Sequence, residues 1–467
     1  MKKGQVVEGT VVKIHFPNKG MVKIPGEDKT VVLKEAIAGQ KVRVLVHKIR
    51  RGQPEGRLLE ILEKAPGELP SPCPHFGVCG GCTYQTLSYD RQLQMKAEQV
   101  KAMMDRAVNG DYQWEGISPS PVISGYRNKM EFTFGDEYKG GPMALGMHKR
   151  GSFHDIVSVP GCRIVDADYG EILKCTLEEA AKSGLPYYHR MRHTGFFRHL
   201  LVRKGARTGE ILVDLVTASG KAADNPLSAA AAEDMLRHWL KSLLALSLDG
   251  KIAGVLHTVN DGMADAVKDE GTRLLYGKEY IYEELLGLKF KITPFSFFQT
   301  NSLGAEILYQ KARDYIGDTK DKVVFDLYSG TGTIAQVLAP VAKRVVGVEI
   351  VEEAVEAARE NAGMNGLENC RFWAGDVLKV VDELGEAPDL IVLDPPRDGV
   401  HPRALEKILD FGAERMVYIA CKPTSLARDL DILQKRGYRA RRIGCVDLFP
   451  STYHIETVCE LVRESAG

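Results

Sequence analysis

From about residue 291 onward, short apolar runs alternate with helical stretches, and no other feature of the chain constrains its fold as tightly. VVFDLYSG (323–330) precedes a helical stretch at 332–342, and RVVGVEI (344–350) precedes VEEAVEAARENAGMNG (351–366). RFWAGDV (371–377) leads to DLIVLDPPRDG (389–399), and RMVYIACKP (415–423) leads to a helix at 424–436. Runs this apolar are strands buried on both faces, which requires a parallel sheet with helices packed on each side. Residues 291–467 are therefore expected to form a Rossmann-like, doubly wound α/β domain. Ligands of such sheets sit beyond the carboxyl ends of the strands. The residues that follow each apolar run are thus the first candidates for chemistry.

Four such positions carry reactive or charged groups. DLYSGTG (326–332) is a glycine-rich strand-to-helix turn that lets backbone approach a ligand closely. Glu349 ends the next run, 19 residues after Gly330, where a carboxylate can bind ribose hydroxyls. Asp376 is placed to meet an adenine amine, and Asp394 opens DPPR at the mouth of a further strand. Singly, each acid reads equally well as a helix cap or a loop charge. Together they point to a nucleotide-like cofactor. The turn lacks the third glycine of G-x-G-x-x-G and lies in the C-terminal third, which disfavours NAD and favours S-adenosylmethionine. Amino-group methylases usually place an aromatic after Pro-Pro to stack on the acceptor. Here the residue is Arg397, which points away from an exocyclic nitrogen.

A fifth strand-end position is Cys421. A small buried thiol is the ordinary reading of such a cysteine. A thiol at a strand end beside a cation, here Lys422, is also the setting that exposes thiolate. Carbon 5 of a pyrimidine is a poor nucleophile, and adding a thiolate at carbon 6 activates it, splitting one hard step into easier ones. A base must then remove the C5 proton. Glu456 in HIETV (454–458) is an acid within an apolar, β-branched run, where burial raises a carboxyl pKa toward the useful range.

The remaining 290 residues suit two further domains at roughly 100–200 residues each. Residues 4–62 alternate about five β-rich runs with turns, as expected of an OB-like barrel over 1–64. Ala65–Pro72, with three prolines, reads as a linker. Residues 65–290 mix strands (129–135, 209–217, 253–260) with a helix at 225–247, as an α/β domain. Residues 88–106 read as an amphipathic helix with Ser88 as N-cap and Leu93, Val100, Met103 and Met104 on one stripe, and the segment 88–117 is expected to pack on the C-terminal domain.

The chain holds 62 basic and 62 acidic residues, so net charge makes no case for a polyanionic partner. Its distribution does. Residues 1–64 carry 14 Lys/Arg against 7 Asp/Glu, and YYHRMRHTGFFRHLLVRKGAR (187–207) mixes six Lys/Arg with four aromatics and no acid. Such mixtures suit phosphate pairing and base stacking. No apolar run approaches the about 20 residues of a membrane span, and the N-terminus lacks a signal-peptide core. The protein is expected in the cytoplasm, as a monomer, with its nine cysteines reduced. Cys73, Cys79 and Cys82 follow a C-x5-C-x2-C spacing and Cys162 comes 80 residues later; four thiolates suit a [4Fe–4S] cluster or a tetrahedral zinc. Cys175, Cys370, Cys445 and Cys459 read as core thiols.

These motifs together resemble the S-adenosylmethionine-dependent RNA uracil-5 methyltransferases, over essentially the whole chain, in particular the branch with an N-terminal TRAM domain and an iron–sulfur cluster. FSFFQTN (295–301) resembles the segment whose glutamine, here Gln299, binds the cofactor. The resemblance gives cofactor contacts also to Tyr328, Glu349 and Asp394, the nucleophile to Cys421 in ACKP, and the base to Glu456. GYRNKMEF (125–132) resembles the substrate-side segment, with Arg127 an RNA contact and Phe297 a stacking residue near the target base. The resemblance makes Cys73, Cys79, Cys82 and Cys162 ligands of a [4Fe–4S] cluster that shapes the RNA-binding domain. It implies methyl transfer to C5 of a uridine through a covalent Cys–C6 adduct, in 23S ribosomal RNA ahead of transfer RNA or both. A cytosine acceptor fits less well, since a single strand-end cysteine is evident. The reading of another class is a redox-responsive iron–sulfur RNA-binding protein on an inactive methylase fold. The sequence departs from the family at Ala420, Lys422 and Ser329, where Ser, Asn and Cys are usual; Lys422 is expected to lower the thiol pKa or to touch a phosphate.

Overall fold

A computed structural model describes residues 1–219, 229–263, 270–380 and 384–464. Strands β1 (Val6–His15), β2 (Lys19–Lys23), β3 (Val31–Lys34), β4 (Lys41–Arg50) and β5 (Gln53–Glu63) close a barrel in the order β1-β2-β3-β5-β4. Alternate side chains of β1 and β4 turn inward, so Val7, Val11, Val42, Val44 and Val46 fill the barrel while Glu8, Arg43 and Glu60 pair on its surface.

Helix α1 (Tyr89–Ala107) and β6 (Gln113–Ser118) follow. The buried stripe of α1 comprises Gln92, Lys96, Val100 and Met104, so two polar residues take core positions where the sequence pattern puts Leu93 and Met103. Ser88 precedes the helix, but its side chain makes no capping hydrogen bond.

The central sheet has the order β13-β12-β11-β10-β7-β8-β9. It comprises β7 (Lys129–Asp136), β8 (Met143–His148), β9 (Ile156–Ser158), β10 (Phe197–Lys204), β11 (Glu210–Thr217), β12 (Lys251–Val259) and β13 (Thr272–Gly277). Helices α2 (Ala167–Ser183) and α3 (Ala229–Leu244) cover one face, burying Trp239, Ile172 and Leu236 against Phe132, Leu200 and Val213. Residues 225–228, expected at the start of α3, lie outside the described residues. A hairpin of β14 (Ile281–Leu285) and β15 (Leu288–Ile292) and helix α4 (Ser302–Ile316) lead into the C-terminal sheet.

That sheet is built by β16 (Val323–Leu327), β17 (Arg344–Glu349), β18 (Cys370–Ala374), β19 (Leu390–Leu393), β20 (Arg415–Ala420), β21 (Tyr438–Val446) and β22 (Glu456–Arg463), with β6 added at one edge. The order is β18-β17-β16-β19-β20-β22-β21-β6. The strands from β18 to β20 are parallel neighbours, and β22 runs antiparallel between β20 and β21. Helices α5 (Thr333–Leu338), α6 (Glu352–Met364), α7 (Val377–Val380), α8 (Pro402–Asp410) and α9 (Pro423–Lys435) make the crossovers. The change of texture at residue 291 does not bound this unit. Strand β6 pairs with β21, and Val100 and Met104 of α1 lie in the same core as Phe325, Ile391 and Leu430.

The basic stretch 187–207 is split, its second half entering β10 while Met191 and Arg192 stay exposed. Arg198 and Arg203 sit on β10 at 4% and 2% exposure, beside buried Phe196 and Phe197. Arg203 donates from Nε to Pro294 O (3.1 Å) and from Nη2 to Ser296 O. Arg198 donates to Asn260 Oδ1 (2.9 Å) and Gly262 O (2.8 Å). These guanidiniums carry five donors each and serve loop carbonyls that no strand reaches. Among the described residues no helix is long and apolar enough to cross a membrane.

Candidate active site

A cavity of about 1670 Å³ opens at the carboxyl ends of β16, β17, β19 and β20. Gln299, Tyr328, Glu349, Asp394, Cys421 and Glu456 line it, with Arg127 and Phe297. So do Cys73, Cys79, Cys82 and Cys162. Asp376 does not. Its Oδ1 accepts the Leu378 N–H (3.0 Å) at the start of α7, and its charge contributes to raising the neighbouring Tyr328 phenol.

The glycine turn is fixed by Glu349. One carboxylate oxygen accepts the Gly330 N–H (3.0 Å) and the other those of Ile350 (2.9 Å) and Val351 (3.1 Å). Tyr328 adopts φ 70°, a left-handed conformation that a non-glycine residue holds only when its surroundings impose it. Here the N–H groups of Tyr328 and Ser329 both donate to Val348 O (2.9 and 3.0 Å). Gly332, at φ 72°, sits where a Cβ would press on Phe372 and Ala358. Phe297 is 67% exposed, and its carbonyl accepts the Thr331 hydroxyl (3.1 Å), tying it to this turn. The Gln299 carbonyl accepts from Asn128 Nδ2 (2.9 Å).

Cys421 and Glu456 are brought together by register. Ala420 pairs with Thr457 across β20 and β22, so the residue after one strand meets the residue at the start of the other. Only an antiparallel neighbour begins where parallel strands end. Glu456, also paired with Val446, is 3% exposed and occupies the middle of the sheet rather than an edge.

Burial is the largest influence on all three acids here. It pushes the Asp394 carboxyl up to about 7. Glu456 is raised well above the usual carboxylate range by burial and then by Asp394, against the pull of Arg397. The Cys421 thiol is pushed up to about 11 by burial, then by Glu456 and Asp394; Arg397 opposes this through its charge and a hydrogen bond. The three groups share one water-poor space and compete for negative charge. The cation acting on the thiol is therefore Arg397. Lys422, expected from sequence to play that part, pairs with exposed Asp398 at 3.6 Å.

Sequence reasoning missed His454 in this role. Its Nδ1 lies 3.3 Å from Arg397 Nη2, its ring packs on Tyr453 and Phe449, and it lines the cavity. Burial, then Arg397, lowers its pKa to about 4, so it stands neutral near pH 7. Its place two residues before Glu456 was the available signal.

All nine cysteines are free. Cys73, Cys79, Cys82 and Cys162 are half-buried and close enough to act on one another's ionisation. Burial, the larger cause, pushes Cys82 up to about 12. Among the described residues no three His, Cys, Asp or Glu side chains are gathered so as to hold a metal ion.

A doubly wound sheet thus presents a thiol, a buried carboxyl and a braced glycine turn at its strand ends, and comparison with known proteins gives the class, an RNA methyltransferase. The family model of tRNA (uracil-5-)-methyltransferases matches residues 264–464. An uncharacterized RNA methyltransferase of Caldanaerobacter subterraneus subsp. tengcongensis is 45% identical, with 98% of this chain and 99% of that protein covered. Another, from Clostridium tetani, is 44% identical, with 99% of each covered. The crystal structure of Pyrococcus abyssi tRNA (uracil-54, C5)-methyltransferase in complex with S-adenosyl-L-homocysteine is 25% identical, with TM-score 0.74, covering 97% of this chain and 100% of that one. The chain belongs to the RNA uracil-5 methyltransferase family.

Proposed function

We propose that the protein transfers a methyl group from S-adenosylmethionine to C5 of a uridine in RNA through a covalent adduct at Cys421. The observation that carries this reading is the meeting of Cys421 and Glu456 across the Ala420–Thr457 register, beside Asp394. S-adenosylmethionine, when bound, supplies an electrophilic methyl. Glu349, Tyr328, Gln299 and Asp394 hold it against the glycine turn, and Asp376, which caps α7 outside the cavity, is given no contact with it. Arg127 and Phe297 meet the RNA, and the base leaves its stack to enter, as for other base-modifying enzymes.

Cys421 Sγ bonds to C6 of the uracil as thiolate, with Arg397 favouring the charge. The electron pair released toward C5 forms the bond to the methyl group as the methyl–sulfonium bond breaks, its electron pair staying on the sulfur of the departing S-adenosylhomocysteine. Glu456, as carboxylate, then takes the C5 proton, and the C6–S bond breaks to expel the thiolate. A Glu pKa raised by burial and by Asp394 makes a stronger base of the carboxylate for that proton transfer.

The sequence resemblance assigns Cys73, Cys79, Cys82 and Cys162 to a [4Fe–4S] cluster, and the four half-buried thiols match it in donor type and number but not in arrangement, since no three of them are gathered to hold a metal ion. Bound there, such a cluster would tie Cys73, Cys79, Cys82 and Cys162 together in the cavity wall without taking part in the reaction. We take ribosomal RNA ahead of transfer RNA as substrate, because the sequence resembles the branch with a TRAM domain and an iron–sulfur cluster.

The test is methyl transfer from labelled S-adenosylmethionine to unmodified ribosomal and transfer RNA, using anaerobically purified protein, followed by nucleoside identification. 5-Methyluridine in one RNA, absent with Cys421→Ala, is expected. 5-Methylcytidine would overturn the base assignment, and RNA binding with no transfer would favour the redox-responsive binding protein.

A further inference from the structure

Two adjoining loops at the cysteine end of the cavity carry large apolar side chains into solvent. Phe153 is 86% exposed and Met191 75%. The first loop is closed at its base by Lys149 N–H to Asp155 O (2.9 Å), with Gly151 at φ 74° making the turn. The second is closed by His189 N–H to Thr194 O (2.7 Å). Each backbone closes on itself, so neither side chain is needed to shape its loop.

The loops are joined to each other and to the site. Arg190 Nη2 donates to His148 Nε2 at 3.3 Å, linking their bases. Gly80 N–H donates to His148 O (3.0 Å), and Arg150 donates to Val78 O (2.7 Å) and to Cys82 O (2.7 Å). Cys79 and Cys82 line the cavity on the other side of these bonds. Lys149, Arg190 and Arg192 flank the two tips. Lys149 has Asp155 at 3.9 Å, and Arg150 has Glu35 of the barrel at 3.4 Å.

We propose that Phe153 and Met191 are a pair of RNA-contacting wedges, which stack on or insert between bases beside the target nucleotide while the flanking cations take phosphates. The inference rests on the RNA substrate proposed above and adds the surface that engages it. Apolar side chains set among cations are how proteins unstack and hold bases. The loops back onto the Val78–Cys82 segment, of which Cys79 and Cys82 line the cavity, so bases held by them belong to the same RNA as the base that enters.

The experiment measures affinity of the full-length protein for unmodified large-subunit ribosomal RNA and transfer RNA transcripts across a salt series. With Phe153→Ser/Met191→Ser, the dissociation constant is expected to rise about tenfold or more. The salt dependence should not change, since neither side chain bears charge. Phe153→Trp should bind like the wild type, and Arg192→Gln should reduce the salt slope by about one. Melting temperature should not move, because both side chains are exposed. A double variant that binds within about twofold of the wild type, or a Trp variant as weak as the Ser variant, overturns the proposal. Methyl transfer by the wild type, run in parallel, separates the two readings. RNA binding without transfer sinks the methylation reading and leaves the wedge to be decided by the affinities, while absence of RNA binding overturns both.

Discussion

Lys96 Nζ lies 2.7 Å from Asp447 Oδ1, in an ion pair that is buried on both sides and spans 351 residues of sequence. The same ammonium donates to Phe449 O (3.1 Å) and His454 O (3.0 Å). One turn earlier on α1, Gln92 Oε1 accepts the Ser451 N–H (2.7 Å), and the Thr83 and Tyr84 N–H groups both donate to Ser451 O (2.9 Å each). Residues 447–454 are thereby held from the N-terminal half, two residues short of Glu456. Lys96 positions the loop that aims His454 and Glu456.

Removing that cation should be costly. Lys96→Met leaves Asp447 buried without its partner, which is expected to lower stability by about 3–5 kcal/mol. Lys96→Met/Asp447→Leu should recover most of that loss in a thermal melt, because an apolar pair can replace a buried ion pair. It should not recover turnover, since the carbonyls of Phe449 and His454 still lack their donor. A fully active double variant would show that the loop aims itself.

Glu456→Gln keeps the shape of the side chain and removes the base. Thiol addition and methyl transfer should proceed, while loss of the C5 proton stalls. A protein–RNA species stable in denaturing gels should accumulate from methylated RNA, and turnover should fall by roughly 10²–10⁴. Normal product release by this variant would assign the proton to another group.

The thiol should respond to its neighbours with a predictable sign. Negative charge at Asp394 raises the Cys421 pKa, so Asp394→Asn lowers it and increases thiolate at pH 9. Each unit of lowering gives about tenfold more thiolate but a weaker nucleophile, a net gain of about threefold in iodoacetamide rate. Arg397→Gln should slow alkylation, and Lys422→Gln should leave it nearly unchanged. A Lys422 effect as large as that of Arg397 would reverse the assignment of the acting cation.

Glu349→Ala frees three backbone N–H groups and removes a ribose partner. S-adenosylhomocysteine affinity, measured by calorimetry, should fall about tenfold to hundredfold, from the loss of charged hydrogen bonds of about 1.5–3 kcal/mol. RNA affinity should hold.

Anaerobically isolated protein should contain iron and acid-labile sulfide, and Cys162→Ser should lower both and the melting temperature together. Stoichiometric zinc without sulfide would replace the cluster with a mononuclear site.

Much of this protein is legible in its sequence, because periodicity reports burial. The apolar runs at 323–327, 344–349, 390–393 and 415–420 mark parallel strands, and the groups that follow them fall at one end of the sheet. Chemistry is legible where residue type is restrictive, as for the thiol of Cys421. What the tertiary structure decided depends on contacts between distant segments, which no local pattern encodes. The antiparallel insertion of β22 between β20 and β21 brings Glu456 to Cys421. The capture of β6 and α1 by the C-terminal sheet makes Lys96 a core residue despite its charge. Arg198 and Arg203, which read as part of a stretch suited to pairing with phosphates, are interior, where they donate to loop carbonyls. Charge on a side chain is fixed by the sequence; whether it meets water, a partner or a reacting atom is fixed only by what the fold packs against it.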